Sequence, residues 1–461
     1  MADGLTRRIA EHIAGANFDD LPDSTVAATK RALLDAAGVM LGASGISEEI
    51  TPFIELARGG AASPAATVLG RGFRTTPELA ALANGAMAHA LDFEDTFDRA
   101  PSHPNAALIP AVLALAEAHG PVSGRDLIAA VAAGCDLSCR IALSLRAPME
   151  AGGWYPPPII GSLGAAAAAA RVLGLSPRRV ADCLSLILCQ VSCPGEIKHD
   201  EATVIRAIRE AFPASAAVRA AQLARLGVRG FERPLEGEGG FFRLYVGGEY
   251  EPGELLDALG ERYWIDQLSF KPWPSCRGTH PYIEAAEHLL RTEEIAGRQI
   301  VRIVAGGGEV QRMLFFPLER KRAPVTAIDA KFSIPFTVAL ALSRRGVTLD
   351  SFGDDARSDP EVLHLAALTE YRDLPGWGRE RAASGLLEIH FADGGVLSAQ
   401  VDDPLGSPVR PISDEQLATK FADCAARAGR PLSAARAEQA AGQINRLERL
   451  EDVASLAIFA R

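Results

Sequence analysis

The sequence predicts a mainly α protein with a smaller α+β second domain, the all-helical part being built from both chain ends. Three observations predict it. Helical patterning runs almost without interruption to about residue 260, strand-like alternation appears only after Trp264, and helical patterning returns from Ser413 through Ala460. The expected division is a helical domain of residues 1–266 and 405–461 around an α+β domain of residues 267–404.

Taken in order, the first part offers helices near residues 5–14, 22–42, 77–91, 106–119, 124–146, 160–174, 177–192, 202–227 and 252–259. The helix from Thr76 to Leu91 has the clearest start: Thr76 as N-cap, Pro77 at the first helical position, Glu78 in the first turn, then Ala and Leu. A Ser-His-Pro turn opens the Ala-rich helix of residues 106–119. In the second part QIVRIVAGG (299–307) alternates like a strand, and LLEIHFAD (386–393) and VLSAQV (396–401) flank a Gly-Gly turn. Helices near residues 280–292 and 327–344 lie between them.

With 461 residues, 48% of them apolar, the chain has ample material for large cores. A formal charge of −11 without a long basic run argues against a nucleic-acid or anionic-membrane partner. MADGLTRRIAEHIAG is too polar for a signal peptide, and Ala165 to Ala170 belongs to an Ala-rich helix rather than to a span of about 20 apolar residues. The expected compartment is the cytoplasm, which an odd count of seven cysteines suits better than a disulfide framework does. Cys135 with Cys139 and Cys189 with Cys193 are four apart in apolar stretches read as helical, where packing explains them better than zinc ligation. AGGGEV at 305–310 lacks the dinucleotide fingerprint. No cofactor is expected.

Chemistry is expected in HALDFEDTFDRAPSHP, residues 89–104, which concentrates His89, Asp92, Glu94, Asp95, Thr96, Asp98 and His103. The carboxylates follow a helix C-terminus, where the dipole disfavours them, so they call for cations or a polar site; the plainer reading is that they are solvated. His103, at the opening of a helix, is biased toward the neutral form a base requires. A second segment, SFKPWPSCRGTHPYIEA (269–285), places Lys271, Cys276, Arg277 and His280 on Pro-stiffened turns before a helix. Two cations and a helix N-terminus suit a substrate carboxylate. The plain alternatives are a snorkelling Lys271 and a buried Cys276.

HALDFEDT, SHP, KPWPSCRGTHPYIEA and AKFSIPFTVALAL (330–342) together resemble the MmgE/PrpD family, which includes dehydratases, decarboxylases and epimerases of small carboxylic acids. LPDSTVAATKRALLDAAGVMLGAS (21–44), LEGEGGF (235–241) and DPLGSPVRPISDEQLATKF (403–421) extend the resemblance over nearly the whole chain. It implies a homodimer, a metal-free site between the domains, and site roles for Asp92, Thr96, His103 and Lys271. Three positions depart from the family pattern: Tyr155 stands in GGWYPP for a histidine, Arg206 for a lysine, and Phe336 for a tyrosine of decarboxylase members. Tyr155 offers a neutral hydrogen-bond donor or, beside cations, a phenolate base, and Arg206 a bidentate clamp. The plain reading of the pair is a packing tyrosine and a helix-surface arginine.

The expected chemistry is proton abstraction next to a carboxylate of a small di- or tricarboxylic acid by a cofactor-independent lyase of the dehydratase-like kind. His103 is the expected base or acid, oriented by Asp92, and Lys271 stabilises the carbanion-like charge. Arg206, Arg277 and His280 hold carboxylates, Thr96 adds a hydrogen bond and Tyr155 is a second proton carrier. Return of the proton from the other face would make the enzyme an epimerase. The rivals are a metal-dependent hydrolase with His89, Asp92, Glu94 and Asp95 as ligands, and a non-catalytic carboxylate-binding protein.

Overall fold

In a computed structural model, which describes residues 4–100, 102–200, 203–293, 295, 297–343 and 346–459, the long helices begin where the sequence puts proline. Pro77, Pro104, Pro156 and Pro177 open helices Pro77–Ala90, Pro104–His119, Pro156–Val172 and Pro177–Leu188. A first-turn residue has no intrahelical partner for its N–H, so proline loses nothing there and presets φ. The protein is mostly helical with two small sheets among the described residues. It divides into two compact units: Met1–Ala90, Glu94–Leu268 and Ser413–Arg461 form one, Leu91–Phe93 and Ser269–Ile412 the other.

The first unit is built around helices apolar on every side. Pro158 to Ala170 is buried without a break, the pattern of a helix enclosed by others. Its neighbour Gly124–Ser144 is long and apolar enough to cross a membrane, yet 89% of its most apolar stretch is buried inside the protein. The two approach closely because Gly134 and Gly164 face each other: a Cβ on Gly134 would lie 2.6 Å from the Gly164 carbonyl oxygen. Arg140, buried on the same helix, pairs with Asp136 at 2.5 Å and donates to the carbonyls of Asp257 (2.7 Å) and Arg262 (2.8 Å), anchoring the segment after helix Pro252–Leu256. Helix Asp414–Ala426 packs on helix Asp23–Ile46 through the buried pair Lys420–Asp35 (2.6 Å) and through Phe421 against Gly38. Burying a phenylalanine there contributes about 1.5–3 kcal/mol. Ala460, at the end of the expected C-terminal helical run, lies outside the described residues, as do Ala202 and Arg344 at the ends of two expected helices.

The second unit carries a four-stranded sheet in the order Thr369–Asp373, Ile300–Gly307, Gly385–Phe391, Val396–Val401, parallel in the first pairing and antiparallel in the others. Strand Gly385–Phe391 alternates buried and half-buried positions, as a strand with one covered face should. Helix His280–Thr292 packs on it, and Tyr282 donates to the Gly306 carbonyl at 2.9 Å. Gly394, with φ of 86°, supplies the left-handed position of the Gly-Gly turn.

Several expectations are corrected. The helix expected over 202–227 is two, Ile205–Ile208 and Ala211–Arg225, because Pro213 has no N–H to give the Arg209 carbonyl. The helix expected over 327–344 is likewise Ala327–Lys331 and Ile334–Leu342, restarted by Ser333, whose hydroxyl accepts from the Phe336 N–H at 3.0 Å, and by Pro335. Helices Thr51–Gly59, Phe241–Val246 and Pro360–Ala367, the hairpin Ala66–Val68 with Phe73–Thr75, and strand Thr369–Asp373 were not expected. Cys189 caps a helix and is exposed, and Cys193 lies outside any helix, so neither sits in the helical stretch that the sequence predicts.

Candidate active site

Thr76 caps helix Pro77–Ala90, its hydroxyl accepting weakly from the Leu79 N–H at 3.4 Å, and the helix delivers His89 to the interior of the first unit. Glu94 and Asp95 follow it and are buried to 2% and 1% exposure, so the plainer reading of solvated carboxylates at a helix end is overturned. His103 N-caps helix Pro104–His119. Its Nδ1 lies 2.9 Å from Glu94 Oε1 and 3.0 Å from the Asp95 carbonyl oxygen. His89 Nδ1 bonds the same Glu94 oxygen, and Arg209 donates to His89 Nε2. The two imidazoles meet edge to face at 5.1 Å.

Arg209 and Glu210 occupy the break between helices Ile205–Ile208 and Ala211–Arg225, which turns both inward to full burial. Arg209 Nε donates to Glu210 Oε1 at 3.2 Å and its Nη1 to the Arg206 carbonyl at 3.1 Å. The approach of this segment to His89 depends on Gly85, one turn earlier, where a Cβ would lie 2.6 Å from the Glu210 carbonyl oxygen and 2.9 Å from the Ala214 Cβ. Tyr155, which N-caps helix Pro156–Val172, turns its ring toward the Arg209 guanidinium (5.3 Å) and Lys198 (5.8 Å). Arg206 is buried rather than lying on a helix surface.

Burial pushes the Asp95 carboxyl up to about 8, Asp35 and Glu94 adding to the rise while the 2.5 Å bond from Asn105 Nδ2 opposes it. Burial also raises Glu210, against the pull of Arg209 and of His103. This donor set suits proton transfer better than cation binding. His89, Glu94 and His103 bring ligand-type atoms within 4.8 Å of one another. Both ring nitrogens of His89 are nevertheless committed, one of them to a guanidinium, and Asp95 favours its neutral form; a metal ligand must be neutral imidazole or carboxylate with a lone pair available.

In the second unit Lys271 is fully buried, not snorkelling, and its Nζ donates to both Asp92 Oδ1 (2.5 Å) and the Asp92 carbonyl oxygen (2.9 Å). Within this unit the Asp92 carboxylate is engaged by Lys271; in the first unit the His103 imidazole bonds the Asp95 backbone and lies against the Glu94 carboxylate. Lys331 Nζ donates to the Leu91 carbonyl at 3.0 Å, so two lysines hold the Leu91–Phe93 segment within this unit. Arg277 donates to the carbonyls of Leu405 (2.8 Å) and Pro404 (3.2 Å) and to His280 Nδ1 (3.3 Å), and His280 Nε2 donates to the Ser275 carbonyl (3.1 Å). These contacts give Arg277 and His280 a structural task, holding the 404–405 backbone. Thr96 is buried and makes no side-chain hydrogen bond among the described residues, and Phe336 is fully buried in helix Ile334–Leu342.

Arg209 and Glu210 were missed by sequence reasoning. The signal was Pro213, which breaks the helix just beyond them. The open groove of about 490 Å³ lined by Glu236, Phe242, Arg243 and Tyr250 shares no residue with these clusters.

Models of the MmgE/PrpD N-terminal domain and the MmgE/PrpD C-terminal domain match residues 7–252 and 273–445. The chain is 28% identical to the cis-aconitate decarboxylase of Homo sapiens, covering 99% of this chain and 94% of the relative. It is 29% identical to that of Mus musculus (99% and 93%) and 25% identical to that of Aspergillus terreus (98% and 95%).

Proposed function

The chain belongs to the MmgE/PrpD family, and from that membership we propose that it is an enzyme of the family's lyase type, acting next to a carboxylate of a small tricarboxylate with cis-aconitate as the first candidate. The observation that carries the reading is His103. Its Nδ1 donates to the Asp95 carbonyl with the Glu94 carboxylate beside it, its Nε2 has no hydrogen-bond partner among the described residues, and its side chain keeps 15% exposure in a cluster otherwise sealed from solvent. An imidazole held at one nitrogen and open at the other is placed to give or take one proton.

The direction of that proton separates the family's reactions. In decarboxylation the C–C bond breaks, its electron pair stays on the substrate carbon, and His103 Nε2–H protonates it. In elimination the C–H bond breaks toward bare Nε2 and the pair expels a leaving group from the β-carbon. Epimerisation is a second reading, favoured by Tyr155: a phenol beside two cations is a candidate second proton carrier. The reading carries a homodimer with it, for which exposed Leu56 and Phe212 on the first unit supply apolar surface.

Proton NMR of the purified protein in D₂O with cis-aconitate and with citrate-, malate- and aminodicarboxylate-type acids tests the proposal. Loss of CO₂ with one deuteron gained supports decarboxylation, and a new vinylic signal from a saturated acid supports elimination. Deuterium at an α-carbon with inversion supports the second reading. Silence across the panel sinks the proposed substrate class.

A further inference from the structure

We propose that Glu94 is the positioning residue of His103, and that Arg209 acts through His89 to hold Glu94 in place. The inference rests on His103 being the proton carrier and adds the device that makes it one. Guanidinium has donors only, so His89 Nε2, which faces Arg209, accepts. His89 therefore carries its proton on Nδ1 and donates it to Glu94 Oε1. His103 Nδ1 faces only acceptors: it donates to the Asp95 carbonyl at 3.0 Å, and the same Glu94 carboxylate oxygen lies beside it at 2.9 Å as an ion-pair contact. The bonds run from Arg209 to His89 to Glu94, whose oxygen lies against His103 Nδ1; the arginine assigns the roles of His89, and the Asp95 carbonyl assigns that of His103.

Two consequences follow for turnover. The Nδ1 proton of His103 stays in place throughout, and the transferable proton is the one on Nε2. When Nε2 takes a proton from substrate carbon, the C–H electron pair remains on the substrate and the new positive charge on the ring lies against the Glu94 carboxylate. When Nε2 gives the proton back the charge disappears. Glu94 thus favours the charged form of the ring that the proton-transfer step creates or consumes. The charged and titratable groups around His103 in this unit are Glu94, His89, Arg209, Glu210 and Asp95. Neutral Asp95 contributes its backbone oxygen, and Glu210 receives the remaining edge of Arg209. The clustered imidazoles are therefore not two equivalent bases: Arg209 commits His89 and leaves Nε2 of His103 open.

Nitrogen-15 NMR of the full chain labelled at histidine, without substrate, tests this directly. The His103 resonance is assigned by its loss in His103→Gln. It is expected as the Nδ1–H tautomer in the wild type, and an Nε2–H tautomer overturns the proposal. In Glu94→Leu the population should move toward Nε2–H; should that variant not fold, Glu94→Gln keeps the acceptor and removes the charge. With cis-aconitate, Glu94→Gln should lower kcat by about 10–100-fold with KM little changed and displace the pH–rate profile to lower pH. Glu94→Asp should recover part of the rate. A Glu94→Gln enzyme with wild-type kcat and an unmoved profile overturns the proposal. Failure of the wild type to turn over cis-aconitate would count against the proposed substrate while the tautomer measurement still decides the role of Glu94.

Discussion

Lys271 grips Asp92 twice, by its carboxylate at 2.5 Å and by its own carbonyl oxygen at 2.9 Å, at a residue whose backbone is left-handed with φ of 48°. Aspartate tolerates that region better than most residues, and a lysine bound to both ends of it keeps the turn closed. Both groups are buried, so removing one strips a partner from a buried charge.

Lys271→Met should therefore cost about 3–5 kcal/mol, and combination with Asp92→Asn should recover part of that loss. A double-mutant cycle by urea unfolding checks it. Independent, additive losses would show that the pair is not coupled and that Lys271 matters for another reason.

Gly85 carries the second prediction. A methyl group there meets the Glu210 carbonyl and Ala214 at distances that backbone does not tolerate, so Gly85→Ala must push helix Ala211–Arg225 and the preceding Arg209 away from His89. Overpacking of this kind costs about 1–3 kcal/mol. The expected result is a lowered Tm together with a kcat loss larger than that of Gly134→Ala, which crowds a helix crossing of the same kind but made by other helices. Equal kcat in the two variants would separate Gly85 from the site.

How much of this was legible in the sequence depends on whether local chemistry decided the matter. Helix Pro77–Ala90 was legible because Thr76, Pro77 and Glu78 are all local signals. Strand Thr369–Asp373 was not, because TEYRD earns its conformation by parallel pairing with Ile303 to Gly307, far away in the chain. At the candidate site His103 stood out by its Ser-His-Pro setting. Glu94 was visible as one carboxylate among several, but which of them meets His103 is decided by tertiary packing between residues nine apart in the chain. Arg209 was hidden inside an apparently regular helix, and only the missing N–H of Pro213 betrayed the break that turns it inward.

The buried Asp95 predicts a pH dependence of stability. Its ordinary value is 3.8 and burial raises it to about 8 in the folded protein, so between these the folded state binds a proton that the unfolded state lacks. That contribution is fully present below about 4, declines as pH rises, and is gone once pH passes about 8. Asp95→Asn keeps an oxygen acceptor for Asn105 and cannot ionise. Its Tm relative to wild type should rise between pH 5 and pH 8. A difference in Tm that stays constant over that window would mean that Asp95 is ionised in the folded protein.

Tyr155→Phe separates the lyase reading from the epimerase reading with little disturbance of the fold. The ring lies near Arg209 and Lys198, and phenylalanine keeps a π face for both cations, so stability should change by less than about 1 kcal/mol. What disappears is the hydroxyl. A one-carrier reaction that uses His103 alone should keep kcat within about threefold, since no proton passes through the phenol. A two-carrier epimerisation should lose inversion by about 10²-fold or more while His103 still exchanges deuterium on its own face. Isotope exchange and product chirality, measured together in D₂O, therefore distinguish the two: exchange without inversion in the variant assigns Tyr155 the second face. Unchanged inversion would remove Tyr155 from the chemistry and leave it as the aromatic neighbour of Arg209.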